Sequence, residues 1–286
     1  MYRIEPRTNL KIPTSISQIG LVIDSRKIEL NRDPEPGRSI WLEDNGATIV
    51  YTSERDATFK VLNGKEILVD PASIESEEEI GLNLLGPLLR LVLLQRGEFV
   101  LHASVVRIGE RTASFIARSG RGKSTIAAAM YDRGHGVLSD DAGIVRLQSG
   151  PCVLAGPSVL KLHEADAARI DRGTERIFSD GLEVGKRFYH LTDNEIPDRT
   201  SLDAVYLIEQ GNGIELEPVS GRDATVAFVE NSWGLPRESD GSVSENLRRC
   251  SKLAEAVPVR RVQYPRSFDV FDDVLDRIEE DCNDAR

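Results

Sequence analysis

The alternation of apolar and polar positions changes character near residue 75. Before that point the apolar runs are short and divided by turn residues. Ala57 to Leu62 and Lys65 to Val69 flank Asn63-Gly64, the dipeptide that most strongly marks a two-residue hairpin, and Asp33-Pro34-Glu35-Pro36-Gly37 reads as a loop. This predicts a small β-rich N-terminal domain over residues 1–78. Pro71 and the acidic run Glu75 to Glu79 then lead into a helix over about 79–95. Its Leu82, Leu85, Leu89, Val92 and Leu93 share one stripe and so pack against a large surface, while Pro87 kinks it or starts a new segment after Gly86.

From there strands and helices alternate. Phe99 to Ile108 reads as one strand that turns at Gly109-Glu110 into an antiparallel partner, Thr112 to Ala117. A glycine-punctuated loop follows, then a helix that ends at Arg133-Gly134, with Gly134 suited to the position after a helix end. Gly136 to Ser139 is a short strand that delivers Asp140 and Asp141, and Ile144 to Leu147 is the next. Val205 to Glu209 and Ile214 to Val219 suggest a hairpin through Gly211-Asn212-Gly213, and Arg222 to Glu230 a helix. Ser244 to Val257 carries Leu247, Cys250, Leu253, Ala254 and Val257 at helical spacing, Val259 to Tyr264 is strand-like, and Phe268, Phe271, Leu275 and Ile278 mark a last amphipathic helix. The expected class is α/β: a mixed sheet with flanking helices over residues 79–286, preceded by the β-rich domain.

Composition narrows the function. With 286 residues and 40% hydrophobic content the chain can build a real core, and its net charge of −11 argues against a nucleic-acid partner, which needs a basic face. Cys152, Cys250 and Cys282 are odd in number, widely spaced and without a C-x-x-C pair, so neither a disulfide framework nor a zinc site is indicated, and a reducing cytoplasm is expected. Met1-Tyr2-Arg3-Ile4-Glu5 shows no apolar signal segment. The longest greasy run, Leu82 to Leu94, contains Pro87 and Arg90 and is too short to span a bilayer, so no membrane attachment is expected.

The stretch with the clearest chemistry is Ala117-Arg118-Ser119-Gly120-Arg121-Gly122-Lys123-Ser124-Thr125, set between a strand and a helix start. A glycine loop there turns backbone N–H groups inward, and the helix N-terminus adds partial positive charge, which together suit a polyphosphate. Arg118 to Thr125 are the candidate nucleotide-binding residues, with Lys123 reaching the β/γ-phosphates and the Ser124 hydroxyl on Mg²⁺. The phosphate-loop pattern G-x-x-x-x-G-K-[ST] has one departure, Ala117 for the first glycine, which requires an ordinary or slightly strained backbone there. Asp140 and Asp141 can divide two tasks, one holding the metal and the other taking a proton from an attacking hydroxyl, and two carboxylates so close raise the pKa of one of them. The absence of N-K-x-D and of L-S-G-G-Q argues against a Ras-like GTPase and an ABC transporter ATPase.

Leu101-His102-Ala103-Ser104, the loop Ser119 to Ser124, Arg133-Gly134-His135 and Asp140-Asp141, in this order, resemble the HPr kinase/phosphorylase superfamily. They are more similar still to its short relatives in lasso-peptide biosynthesis clusters. Gly156 to Leu162, Pro218 to Ala224 and Val257 to Arg261 extend the likeness. The resemblance implies a P-loop domain of HPr kinase C-terminal type, ATP and Mg²⁺ as cofactors, and transfer of a phosphoryl group to a hydroxyl, in first place a serine's, of a peptide or small protein. It implies that Lys123 binds phosphates, Ser124 ligates Mg²⁺ with Asp140 in support, Asp141 accepts the proton and His102 lies near the reacting group; it also implies a homo-oligomer. Cys152 to Leu162 contains no counterpart of the family's further metal-binding glutamate, which leaves phosphorylase activity outside the expectation, and Arg187 and Arg169 are the candidates for its catalytic arginine. Two other readings stay open: a nucleotide-driven NTPase or switch, and an ATP-binding scaffold with reduced catalysis.

Overall fold

The computed structural model describes residues 21–35, 37, 39–178, 185–234 and 240–284. The N-terminal pentapeptide and part of the loop around Pro36 lie outside the described residues. The first sheet has the order β1(Val22–Ser25), β5(Glu66–Val69), β4(Thr58–Leu62), β3(Thr48–Thr52), β2(Ser39–Glu43). Its β4–β5 hairpin turns at Asn63 and Gly64, both at positive φ, as the dipeptide requires.

Ser76 caps helix α1(Glu77–Asn83), its hydroxyl accepting from the Glu79 N–H, and three glutamates in the first turn complement the helix dipole. The helix then kinks: Leu84–Leu88 widens to π-type around Gly86 (φ −107°, ψ −109°) and Pro87, and α2(Leu89–Gln95) resumes. The expected single stripe is replaced by burial on three sides. Leu84, Leu88, Leu91 and Val92 pack on the five-stranded sheet, Leu82 against Val159 and Phe188, and Leu89 and Leu93 against Val100 and Ile144. A segment surrounded by protein does not need an amphipathic pattern.

The expected strand 99–108 is divided. β6(Phe99–Leu101) and β7(Ala103–Ile108) belong to different sheets, and the chain changes sheet at His102, whose N–H donates to the Asn231 carbonyl at 2.7 Å. β6 joins β10(Gly143–Arg146), β11(Cys152–Leu154) and β15(Arg199–Ser201) in a four-stranded sheet. A three-stranded sheet is made of β12(Val159–His163), β14(Lys186–Leu191) and β13(Thr174–Arg176).

At the centre is a six-stranded mixed sheet in the order β17(Glu215–Pro218), β18(Val259–Tyr264), β16(Ala204–Gln210), β8(Arg111–Ile116), β7, β9(Gly136–Ser139). The hairpin expected between 205–209 and 214–219 is not formed: β18 lies between β16 and β17, parallel to the first and antiparallel to the second. The cause is burial. Tyr206 and Ile208 of β16 enter one core and Val205 and Leu207 the other, so this strand is covered on both faces and takes parallel neighbours through helical crossovers, while the largely exposed β17 is left at the edge.

One face of this sheet carries α3(Lys123–Asp132) and α7(Phe271–Asp284), with Ile126, Met130, Leu275 and Ile278 packed on Phe115, Tyr206 and Val262. The other carries α5(Gly221–Glu230) and α6(Asp240–Ala256), with Phe228 and Leu253 packed on Ile116, Val205 and Val259; the short α4(Glu164–Ala167) follows β12. Leu247 and Phe268, expected to be buried, are instead 52% and 48% exposed. Among the described residues no helix is long and apolar enough to cross a membrane.

Strand directions decide what meets at the site. β8 is parallel to β16 and β16 to β18, and β7 is antiparallel to both β8 and β9. The C-terminal ends of β9, β8, β16 and β18 therefore share one edge of the sheet, the edge at which open α/β sheets bind ligands.

The hairpin turn supplies a test of the packing. An added Cβ on Gly64 (φ +63°) meets the Arg96 side chain at 2.7 Å and the Val92 carbonyl at 3.2 Å, and Gln95 and Arg96 both hydrogen-bond to this residue's backbone at 2.6 Å. Gly64→Ala is expected to cost about 1–3 kcal/mol, read as a lower urea midpoint.

Candidate functional site

The loop between β8 and α3 opens with Ala117, which is fully buried and is not in the left-handed region, so the substitution of the motif's first glycine is accommodated without strain. Gly122 is different: its φ is +95° and a Cβ there would sit 3.1 Å from the Tyr264 hydroxyl, so both conformation and space favour glycine. Lys123 begins α3, is buried, and donates from Nζ to the Ala117 carbonyl at 2.8 Å, spanning the loop. Burial pushes its pKa down, and the charges of Asp140 and Asp141 push the other way.

Asp140 lies just past the end of β9, where it gathers three donors. Its Oδ1 accepts from the hydroxyls of Ser104 (2.5 Å) and Ser124 (3.0 Å), and its Oδ2 from the Lys161 N–H (3.1 Å). Burial raises its pKa above the ordinary value and the neighbouring Asp141 charge adds to the rise, against the hydrogen bonds. Of the two carboxylates, Asp140 is thus the one shifted upward. Asp141 goes down: burial alone would raise it, but the hydrogen bond from His102 and the charges of Arg90, Lys161 and His102 prevail.

The geometry behind that shift is a clamp. Arg90 Nη1 meets Asp141 Oδ2 at 2.6 Å and His102 Nε2 meets Oδ1 at 3.0 Å, while Trp233 Nε1 donates to the Asp141 carbonyl at 3.3 Å. Trp233 also carries the Arg90 guanidinium 4.2 Å from its ring centre, within cation–π range, and lies 5.1 Å from the His102 ring. Asp141 itself has φ +67°, a conformation costly for a non-glycine residue and held only where the surroundings fix it.

The loop, both aspartates, His102 and Arg90 line one cleft of about 570 Å³. Of the sequence candidates, Ser119, Gly120, Arg121, Gly122, Lys123, Ser124, Thr125, Asp140, Asp141 and His102 all border it. Arg118 does not; it borders a neighbouring depression together with Arg121, whose guanidinium donates to Gln210 at 2.9 Å. Thr125 lies 3.4 Å from Asp166, another carboxylate of the cleft.

Arg187 and Arg169 are turned to other partners, Arg187 to Glu164 at 3.8 Å and Arg169 over the Phe268 ring at 3.9 Å. The arginine that meets the aspartate pair is Arg90. It was legible as the one charge inside the apolar run 82–94, since a charge in such a run needs a partner. Trp233 carried no comparable signal.

Among the described residues no group of three or more His, Cys, Asp or Glu side chains could hold a metal ion. Ser124 Oγ and Asp140 Oδ1, 3.0 Å apart, form an oxygen-only pair, and this suits Mg²⁺, which takes one or two protein oxygens and fills its octahedron with phosphates and water.

The clamp predicts an acid-dependent contribution to stability. Because the folded pKa of Asp141 lies below its ordinary 3.8, the stabilisation is full above that value and is lost progressively as pH falls below it toward the folded pKa. Urea titrations of the wild type and Asp141→Asn should show a stability difference at pH 6 that shrinks toward pH 3; a constant difference would place the carboxylate outside the clamp.

No family model matches the chain, and no curated protein matches it. Among solved structures, it is similar to the HPr(Ser) kinase/phosphatase from Coxiella burnetii at 11% identity, over 63% of this chain and 90% of that one, with a TM-score of 0.32. This is a distant structural relationship, and nothing about the site residues follows from it.

Proposed function

We propose that the protein is an ATP- and Mg²⁺-dependent kinase that phosphorylates a hydroxyl, in first place a serine, of a peptide or small protein. The observation that carries the reading is the convergence of a glycine loop ending in Lys123-Ser124 with Asp140 bound to Ser124 and Asp141 clamped by Arg90 and His102, all in one cleft. The quoted resemblance to the HPr kinase/phosphorylase superfamily points the same way.

In this reading the loop N–H groups and Lys123 hold the phosphates, and Ser124 and Asp140 hold Mg²⁺. Bound Mg-ATP supplies the phosphoryl group and the neutralising charge. Asp141 receives the acceptor's proton. Its lowered pKa makes it a weak base, which is tolerable because the attacking oxygen does little bonding in a loose phosphoryl transition state and positioning matters more. His102 fixes the carboxylate's second oxygen, and Arg90 brings a cation to the place where the transferred group carries its negative charge. Trp233 covers one face of the Arg90 guanidinium.

The test is transfer of labelled γ-phosphate to serine-containing peptides. Asp141→Asn should lower the rate by about 10²–10⁴-fold with nucleotide affinity retained, the range for a lost general base. Lys123→Ala should weaken nucleotide binding itself. Fast hydrolysis without any acceptor would point to an NTPase or switch, and tight binding without turnover to a scaffold.

A further inference from the structure

The cleft extends well beyond the phosphate-handling groups. Across the shared edge of the central sheet the glycine loop follows β8; β9, with Asp140 and Asp141 after it, lies two strands to one side, and β18, ending at Tyr264, two strands to the other. At about 4.8 Å per strand these limits are about 19 Å apart. The two sides differ in chemistry. Around the aspartates are Arg90, His102 and Trp233; at the end of β18 and beyond it the wall is Tyr264, Arg266, Phe268 and Phe271.

That second wall is aromatic and incompletely covered. Phe268 and Phe271 meet edge to face at 5.7 Å, and Tyr264 lies 6.2 Å from Phe271 with its hydroxyl against Gly122 of the loop. Phe268 lines the cleft and remains 48% exposed even with the Arg169 guanidinium over one face, and aromatic side chains are the usual lining of a ligand cleft. An exposed ring at the wall of a cleft is available to stack on a planar ligand.

We propose that the nucleobase of the bound nucleotide stacks on Phe268 in this Tyr264–Phe268–Phe271 pocket, on the side of the glycine loop opposite Asp141. The inference rests on the kinase reading's placement of the phosphates. Lys123 and the two aspartates fix the terminal-phosphate end, so the nucleoside leaves the loop past Thr125 toward β18. Asp166, 3.4 Å from Thr125 at this exit, is an acceptor suited to the ribose hydroxyls.

Calorimetric titration with Mg-ATP and with Mg-tripolyphosphate, which has the phosphates and no base, separates the parts. Phe268→Ala should weaken Mg-ATP binding about tenfold, a usual loss for one base–aromatic stack, and leave tripolyphosphate affinity unchanged; Phe268→Tyr should restore ATP affinity. Equal weakening of both ligands, or no effect on either, overturns the base pocket while Lys123→Ala, losing both, still supports the phosphate cradle. If wild-type protein binds tripolyphosphate as tightly as ATP, the base makes no contact and the proposal fails alone. If it binds neither, the kinase reading fails and takes this proposal with it.

Discussion

A single carboxylate ties the site together. Asp140 accepts hydrogen bonds from Ser104 on β7, from Ser124 on α3 and from the Lys161 backbone of β12, three elements from different parts of the chain. A buried acidic side chain is costly unless its acceptors are filled, and here filling them requires all three elements to be in place. The glycine loop lies between β8 and α3, so the hydroxyl of Ser124 fixes the orientation of the helix start relative to β9, and through it the relation of the loop to Asp141. The raised pKa of Asp140 is the residue of that cost: burial is only partly offset by the three donors. A cation beside the Ser124–Asp140 pair would relieve it.

The adjacent aspartates are thereby given different environments by one change of backbone conformation. Asp140 turns inward to neutral donors; Asp141, at φ +67°, turns to a cation and an imidazole. Environments that shift two adjacent carboxylates in opposite directions suit them to different roles, and the one shifted downward is on the Arg90 and Trp233 side of the cleft.

What the sequence revealed of this follows from how local each signal is. The Asn63-Gly64 turn, the Gly86-Pro87 kink and the strand–loop–helix around Lys123 are set by a few neighbouring residues, and they form where the pattern places them. The order of strands is not local. The hairpin expected through Gly211-Asn212-Gly213 gives way because β16 is buried on both faces and the helical crossover supplies β18, a competition visible only when both cores are assembled. The division of residues 99–108 at His102 is similar: with apolar residues on both sides and no glycine or proline, the run contains no local mark of a change of sheet. The same holds within the site. Lys123, Ser124 and the aspartates were legible from spacing, whereas Arg90 is 51 residues from Asp141 and Trp233 is 92 from it, contacts that only tertiary structure creates.

Arg90 also gives the N-terminal sheet a place in the chemistry. It sits in α2, just after the π-type turn, on a helix whose neighbouring Leu88, Leu91 and Val92 are buried in the core of the five-stranded sheet. The guanidinium can reach Asp141 at 2.6 Å only while that packing holds the helix in register. Gly86 and Pro87 set the direction of α2, since Pro87 removes a helical N–H and Gly86 takes a dihedral pair outside the helical region. A core that contains no site residue therefore fixes the position of one, and a change in the packing of β3, β4 or β5 on this helix would move the cation that holds Asp141 ionised. The N-terminal sheet is in this sense a support for the clamp rather than an appendage to the loop-bearing part of the chain.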